Sequence, residues 1–166
     1  TLTIASVIGR EFTMEHLRPL LEDLTEDRLL DVLEEALASR VIEELPQVVG
    51  RYQFTHALIQ ETLLEELSTT RRVRLHARIA EMLEEMYGDD AESHAAEIAH
   101  HLAQAETVVG TEKLVRYSLL AGERALAASA HEDALANFER GLVARGISLS
   151  GTEAASDEEA ADLLFG

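Results

Sequence analysis

Cysteine is absent from the 166 residues, so the chain has no disulfide, no thiolate metal ligand and no cysteine nucleophile. A cysteine-free composition suits a reducing compartment, and we expect a cytoplasmic protein. Long apolar runs are also absent: no stretch approaches the ~20 residues that span a bilayer, and we expect no membrane partner. Because Thr1 is not an initiator methionine and Leu163 to Phe165 resemble the interior of a helix, we expect a piece of a longer protein.

Basic residues are scarce: 14 lysines and arginines stand against 32 aspartates and glutamates, which gives a net charge of −18. Binding to nucleic acid depends on basic side chains that displace counterions from phosphates. This charge therefore argues against nucleic acid as a partner of the chain on its own. The acidic residues are spread along the sequence, and they serve either solubility or an acidic docking surface.

Catalytic signatures are missing as well. The sequence has no Gly-x-Ser-x-Gly elbow, no His-Glu-x-x-His zinc motif and no Gly-x4-Gly-Lys-Ser/Thr phosphate-binding loop. Adjacent carboxylates such as Glu34 and Glu35 are expected on solvated helix faces in so acidic a chain. We predict no catalytic residue in this chain, which is therefore not an enzyme by itself, and no cofactor bound by it alone.

The first 40 residues have the spacing of short helices. An opening apolar segment stops at Gly9, a helix terminator. Thr13 and Thr25 stand at N-cap positions, and the apolar spacing after Thr25 predicts a helix to about Arg40. The period then changes: Val41–Leu45 and Arg51–Phe54 are short segments separated by turn residues, which predicts one β-hairpin. Three helices followed by a hairpin is the order of a winged-helix domain, which we place at residues 1–67.

From His56 the apolar spacing is helical almost to the end. Breaks at Gly88, Gly110 and Gly146 divide residues 68–146 into helices with alanine at the contact positions, which is typical of antiparallel pairs. Residues 147–166 are expected to form a loop, to residue 157, and then the start of a further helix. The predicted fold class is therefore mainly α, with one short β-hairpin and antiparallel helical pairs.

The last helical pair is similar to one tetratricopeptide repeat. Small, aromatic and apolar residues fall at repeat-like spacing: Gly122 in the first helix, then Ala134, Phe138 and Leu142 in the second. Ser118 stands where the repeat has a large aromatic side chain. The similarity implies that residues 68–146 form a tetratricopeptide-like superhelix with a concave face that binds a peptide or protein.

A wider resemblance covers residues 1–145. Three stretches carry it: ASVIGREF (Ala5 to Phe12), RYQFTHALIQETLLEEL (Arg51 to Leu67) and RLHARIAEMLEE (Arg74 to Glu85). Together they resemble the region behind the nucleotide-binding core of STAND-type ATPases, bacterial signal-transduction proteins that include large transcriptional activators and cyclase-linked ATPases. In that family a P-loop core precedes a winged-helix domain and tetratricopeptide-like repeats. The resemblance implies an upstream ATPase core as partner, with ATP or ADP bound there.

His56 lies in the stretch FTHALIQE, which resembles the methionine-histidine-aspartate motif of related STAND nucleotide switches. There the histidine contacts the β-phosphate of bound ADP. The resemblance implies that His56 is a phosphate sensor, completed by the ATPase core outside this chain. Thr55 and Ala57 stand where the motif has methionine and aspartate. The alternative is that His56 caps its helix or packs beneath the hairpin.

Four arginines form a local basic cluster: Arg71, Arg72, Arg74 and Arg78. They contact either nucleic acid or the acidic surface of a neighbouring domain, or else they form salt bridges within the helix. The glutamates at suitable spacing for such salt bridges are Glu65, Glu66, Glu81 and Glu85.

Two further patterns point to weaker alternatives. The helix Glu26–Ser39 holds the position of a DNA recognition helix, but it is acidic, with Arg28 as its one basic residue, so it would repel phosphate. His94, Glu97 and His101 share one helix face at i, i+3 and i+7, a spacing that could offer metal ligands. The buried face of that helix is already apolar, so we expect the histidines to flank it and predict no metal site.

The leading prediction from the sequence is a non-catalytic regulatory and protein-interaction fragment of a nucleotide-dependent signal-transduction ATPase. It would couple partner or ligand binding to nucleotide state in a transcriptional regulator or a cyclase-linked protein. The alternative is a stand-alone helical-repeat scaffold that binds peptides. A DNA-binding winged helix is the third hypothesis.

Overall fold

The computed structural model describes residues 1–21, 23–46 and 48–147. Helices dominate these residues and a small three-stranded antiparallel sheet accompanies them, which confirms the predicted mainly-α class. The chain divides into two compact units, Thr1–Met82 and Leu83–Gly166. The domain limits expected from the sequence, at residues 67 and 146, stay predictions. The predicted final loop and helix lie outside the described residues, apart from Ile147.

The first unit alternates short helices and strands. In chain order its elements are α1 (Leu2–Ile8), β1 (Glu11–Thr13), α2 (Met14–Leu17), a 3-10 turn (Arg18–Leu20), α3 (Glu26–Ala38), β2 (Ile42–Glu44), β3 (Arg51–Phe54) and α4 (Ala57–Glu65). The helix α5 (Thr69–Tyr87) contains the division between the two units.

Local side chains begin these helices where the sequence predicts. The Thr13 hydroxyl accepts the backbone N–H of His16 at 3.2 Å, and the Thr25 hydroxyl accepts that of Arg28 at 3.4 Å. Both threonines thereby satisfy a donor that the first helical turn leaves without a partner. The helix after Thr13 becomes a 3-10 turn at Arg18, where Pro19 follows, because proline has no N–H to continue an α-helix.

The sheet has one strand more than the sequence predicted. The hairpin strands β2 and β3 pair as expected, and β1 pairs antiparallel on the other side of β3, giving the order β1-β3-β2. At three residues β1 is too short to show the two-residue period, and its partner lies about 40 residues later. Buried Phe12 fixes the pairing, with ring centroids 5.8 Å from Tyr52 and 5.4 Å from Phe54. The described elements of the first unit therefore run helix, strand, two helices and two strands before α4, and the winged-helix assignment stays a prediction.

The second unit is helical. After the end of α5 it contains a 3-10 segment (Gly88–His94), α6 (Ala95–Gln104), α7 (Glu106–Val109), α8 (Glu112–Ala127) and α9 (His131–Ala144). Helix α8 is central, because it packs against α6 on one side and α9 on the other. The sequence predicted α6, α8 and α9; the 3-10 segment and the four-residue α7 are too short for a helical period to be recognised.

Helices α8 and α9 form an antiparallel hairpin with a core of Val115, Ala134, Phe138 and Leu142. Three residues connect the two helices, so they return directly against each other. The Phe138 ring occupies the space beside Gly122 that a side chain would otherwise fill. This small-residue-to-aromatic contact agrees with the repeat-like spacing in the sequence.

Candidate functional site

Helices α6, α8 and α9 enclose an open groove of about 960 Å³ in the second unit. Seven of its lining residues are alanines, including Ala96 on α6, Ala125 on α8 and Ala136 on α9. Methyl side chains leave a shallow apolar floor with free volume above it. A groove of this size is at the upper end of small-molecule sites and is wide enough for a peptide chain.

Polar side chains stand at the edges of this groove. The lining includes Ser93, His100, Arg124, Asp133, Asn137 and Arg140. Asn137 is only 7% exposed and uses both ends of its amide. Its Nδ2 donates to the carbonyl oxygen of Asp133 at 2.8 Å, and its Oδ1 accepts from Nη1 of Arg140 at 2.5 Å. The buried amide therefore holds the Arg140 guanidinium at a set position.

Arg124 on α8 and Arg140 on α9 differ from Lys113 and Arg116, the two other basic residues of α8. Lys113 pairs with Glu84 at 2.7 Å, and Arg116 pairs with Glu92 at 3.3 Å. Within residues 1–21, 23–46 and 48–147, neither Arg124 nor Arg140 has a carboxylate within 4.0 Å. The groove thus carries two cations without an anionic partner in the described part of a chain whose net charge is −18.

Burial affects the titration of two groups in the groove. It lowers the pKa of Arg140 from its usual range, because a charged group loses hydration when it is partly enclosed. Burial also lowers the pKa of His100, and the charge of Arg140 lowers it further, while Glu97 acts in the opposite direction. His100 is therefore biased toward its neutral form, and the arginines are the charged donors of the groove.

His56 lies at the junction of β3 and α4 in the first unit. It occupies the N-cap position of α4, where its carbonyl oxygen accepts the N–H of Ile59 at 3.0 Å. Its imidazole is exposed and makes no capping hydrogen bond, so the side chain neither caps the helix nor packs beneath the hairpin. The predicted role as a phosphate sensor stays a prediction.

Thr55 fixes the chain immediately before His56. Its hydroxyl donates to the carbonyl oxygen of Arg40 at 2.8 Å and lies 3.2 Å from that of Val41, whose oxygen also accepts the N–H of Thr55 at 3.2 Å. The threonine that replaces a methionine in the resembling motif therefore ties the junction to the end of α3. The exposed imidazole is presented from a fixed backbone.

The predicted arginine cluster is only partly brought together. Arg71, Arg74 and Arg78 line one groove of about 560 Å³ in the first unit, together with leucines and Asp23; Arg72 is not among its lining residues. The salt bridges expected from Arg71, Arg72 and Arg74 to glutamates of the same region are not formed among the described residues. The interaction role of these arginines stays a prediction.

The histidines of α6 have separate environments. His101 is buried, at 1% exposure, which corrects the expectation that it flanks the buried face. Nε2 of His94 lies 3.5 Å from Asp90, and its ring stacks on Tyr87 with centroids 3.5 Å apart. The carboxylate of Glu97 accepts the Tyr87 hydroxyl at 3.1 Å. Within the part of the chain that the structure describes, no three His, Asp or Glu side chains are grouped to hold a metal ion.

The outer face of α3 is acidic. Glu26, Asp27, Asp31 and Glu34 are exposed, and the guanidinium of Arg28 lies 3.5 Å from Asp31. A surface of this charge repels phosphate, in agreement with the argument from the sequence against DNA binding.

Reasoning from the sequence missed Arg124 and Arg140. A usable signal was present: each arginine has an exposed alanine four residues away, Ala128 directly after α8 for Arg124 and Ala136 on α9 for Arg140. Alanine at an exposed position next to a single long cation indicates a surface with room for another chain. It does not reveal that two such faces line the same groove.

Comparisons with protein-family models, with curated proteins and with solved structures return no match. Among the described residues, no helix combines the length and the apolar composition that a membrane span requires.

Proposed function

We propose that the chain is a non-catalytic, protein-binding regulatory region of a cytoplasmic signal-transduction ATPase. Its helical unit binds a protein partner, and its winged-helix unit responds to the nucleotide state of an ATPase core elsewhere in the same protein. ATP and ADP belong to that core, which completes the site around His56. The output is transcriptional regulation or control of a nucleotide cyclase.

The groove of α6, α8 and α9 is the observation that carries the binding role. It is open, floored by alanine and bordered by arginines without anionic partners among the described residues. These are features of a surface that receives another chain, since an apolar floor contributes affinity and a few placed polar groups contribute specificity. Among the described residues we find no comparable set of polar groups arranged for covalent chemistry.

The exposed imidazole of His56 supports the nucleotide-responsive role. It stands at the first turn of α4, where backbone N–H groups favour an anion, and Thr55 fixes the backbone that presents it. A phosphate from outside the chain can approach without displacing an existing side-chain hydrogen bond of His56.

The second candidate is a stand-alone scaffold that binds peptides in the same groove without coupling to nucleotide. The groove favours this function equally, so His56 is what separates the two. DNA binding through α3 has the least support because its exposed face is acidic.

Dissociation of a fluorescent ADP analogue from the complete protein tests the coupling. We expect His56→Ala to raise the dissociation rate about tenfold, because a hydrogen bond to a charged group contributes about 1.5–3 kcal/mol. The matched control is His131→Ala, which removes another exposed histidine at the beginning of a helix. Equal rates in the His56→Ala variant and the unmodified protein would reject the coupling and favour the scaffold.

A further inference from the structure

We infer that the groove of α6, α8 and α9 takes an acidic peptide segment of a protein partner, whose carboxylates bind Arg124 and Arg140. The inference rests on the protein-binding part of the proposed function and adds the chemical class of the partner.

Arg124 and Arg140 differ from the paired cations of the same helical unit. The chain has 32 carboxylate side chains and 14 lysines and arginines, so anionic partners are abundant. The exposed cations Lys113 and Arg116 of the same helical unit are paired. Arg124 and Arg140 are not paired among the described residues, although Asp133 lines the same groove. A groove in which two guanidinium groups have no carboxylate partner among the described residues is complementary to a carboxylate supplied from elsewhere.

Asn137 positions the guanidinium of Arg140. A guanidinium has five N–H donors, and the contact with Asn137 occupies one nitrogen. The remaining donors stay available for a planar, two-oxygen acceptor, which matches the shape of a carboxylate. Because Asn137 is buried and itself held by the Asp133 carbonyl, Arg140 loses little freedom when it binds.

The guanidinium of Arg140 has lost part of its hydration in the groove. Arg140 is partly buried, and burial lowers its pKa, which shows that its charge is less well hydrated than in water. A partly buried charge without a counter-ion destabilises the fold, whereas a bound carboxylate compensates for the lost hydration. The groove is thus less stable empty than filled by an anion.

The size and the lining of the groove favour a peptide over a small acid. The groove has a volume of about 960 Å³ and is open, and alanine methyl groups line it on all three helices. A small dicarboxylate would leave most of this floor exposed to water. A peptide covers the apolar floor with its own side chains while its Asp or Glu residues reach the arginines at the edges.

Fluorescence anisotropy of the 166-residue chain tests the inference. The probes are two pools of fluorescein-labelled dodecapeptides: one is rich in Asp and Glu, and the other has Asn and Gln at the same positions. We expect the acidic pool to bind at least about tenfold more tightly. Arg124→Gln and Arg140→Met should each weaken binding of the acidic pool about tenfold, and Arg116→Gln, a change on the same helix as Arg124 but away from the groove, should not.

A second measurement separates binding from structure. If Arg140 serves a ligand, Arg140→Met should weaken binding while the melting temperature changes little, because removal of a partly buried charge offsets the loss of the hydrogen bond to Asn137. A fall in both would assign Arg140 a structural role; Arg124→Gln, at an exposed position, then decides alone, and its unchanged binding would overturn the inference.

Two further outcomes separate the preference for carboxylates from protein binding in the groove. Equal binding of both pools, lost when Ala96→Phe fills the groove, would overturn the preference for carboxylates and leave protein binding intact. No binding of either pool to the unmodified chain would overturn both.

Discussion

Gly122 on α8 and Phe138 on α9 are in such close contact that any side chain at position 122 would overlap the Phe138 ring. A Cβ atom on Gly122 would lie 2.8 Å from Cζ of Phe138 and closer still to two further ring carbons. The ring thereby brings the two helices together along the hairpin whose outer residues line the groove. The packing of the hairpin and the shape of the candidate site therefore depend on the same pair.

Gly122→Ala should destabilise the second unit by about 1–3 kcal/mol, because the added methyl overlaps a buried ring. Helix propensity alone predicts the opposite, a gain of about 1 kcal/mol for alanine over glycine. The sign of the change in unfolding free energy, measured by urea denaturation, therefore decides between packing and propensity. A stabilised variant would contradict the close contact.

The double variant Gly122→Ala with Phe138→Leu is the matched control. Phe138→Leu alone should destabilise by about 1–3 kcal/mol through lost packing in the core of Val115, Ala134 and Leu142. Since the smaller side chain makes room for the new methyl, the double variant should be more stable than the sum of the two single changes by at least about 0.5 kcal/mol. Strict additivity would show that the two residues do not interact.

Removal of the Ser118 hydroxyl should raise the free energy of unfolding, in contrast to the change at Gly122. It is fully buried on α8, and its hydroxyl has no hydrogen-bond partner among the described residues. Ser118→Ala should stabilise the chain by about 1 kcal/mol, since an unsatisfied buried hydroxyl is unfavourable.

Ser6→Ala on α1 is the comparison, because Ser6 is equally buried but donates to the carbonyl oxygen of Thr3 at 2.9 Å. Alanine gains the same helix propensity at both positions. The urea midpoint should therefore rise by more for Ser118→Ala than for Ser6→Ala. The reverse order would contradict the assignment of the Ser118 hydroxyl.

Tyr87 should make stability depend on alkaline pH. Burial, followed by the charge and hydrogen bond of Glu97, raises the pKa of Tyr87 from 10.0 to about 12. The folded state thus holds the phenolic proton more tightly than the unfolded state. This contribution is fully present below pH 10, and it is lost as the pH rises from about 10 to about 12.

Tyrosinate absorbance checks this directly. The last-titrating tyrosine should disappear in Tyr87→Phe, and the fall in unfolding free energy between pH 10 and 12 should become shallower. Glu97→Gln, which removes the negative charge but keeps an acceptor, should move this titration toward pH 10. Identical titration curves for the unmodified chain and both variants would contradict the assignment.

Elements with strong local signals were predictable from the sequence. Thr13 and Thr25 mark the beginnings of α2 and α3, and Gly88 marks the end of α5, because caps and terminators act within one helical turn. Strand β1 was not predictable, since its three residues depend on pairing between Phe12 and Tyr52, far apart in the chain. The hairpin of β2 and β3 was predictable, because its two strands are neighbours in sequence.

In the candidate site, too, features marked by neighbouring residues in the sequence were predictable, and features made by packing were not. His56 is marked by its sequence neighbours, so its place at the beginning of α4 was foreseeable, whereas the anchoring of Thr55 to the end of α3 was not. Arg124 and Arg140 meet at one groove only because α9 returns against α8. A helical period identifies one face of one helix, and a groove made by three helices requires their packing.

A bulky side chain in the groove of α6, α8 and α9 tests whether this groove is the partner site. Ala96 is exposed on α6 and lines the groove, whereas Ala38 is exposed at the end of α3 in the other unit. The affinity of the acidic peptide pool is measured for Ala96→Phe and for Ala38→Phe at equal protein concentration. We expect binding at least about tenfold weaker for Ala96→Phe and unchanged for Ala38→Phe. Unchanged binding by Ala96→Phe would contradict the assignment of this groove as the partner site.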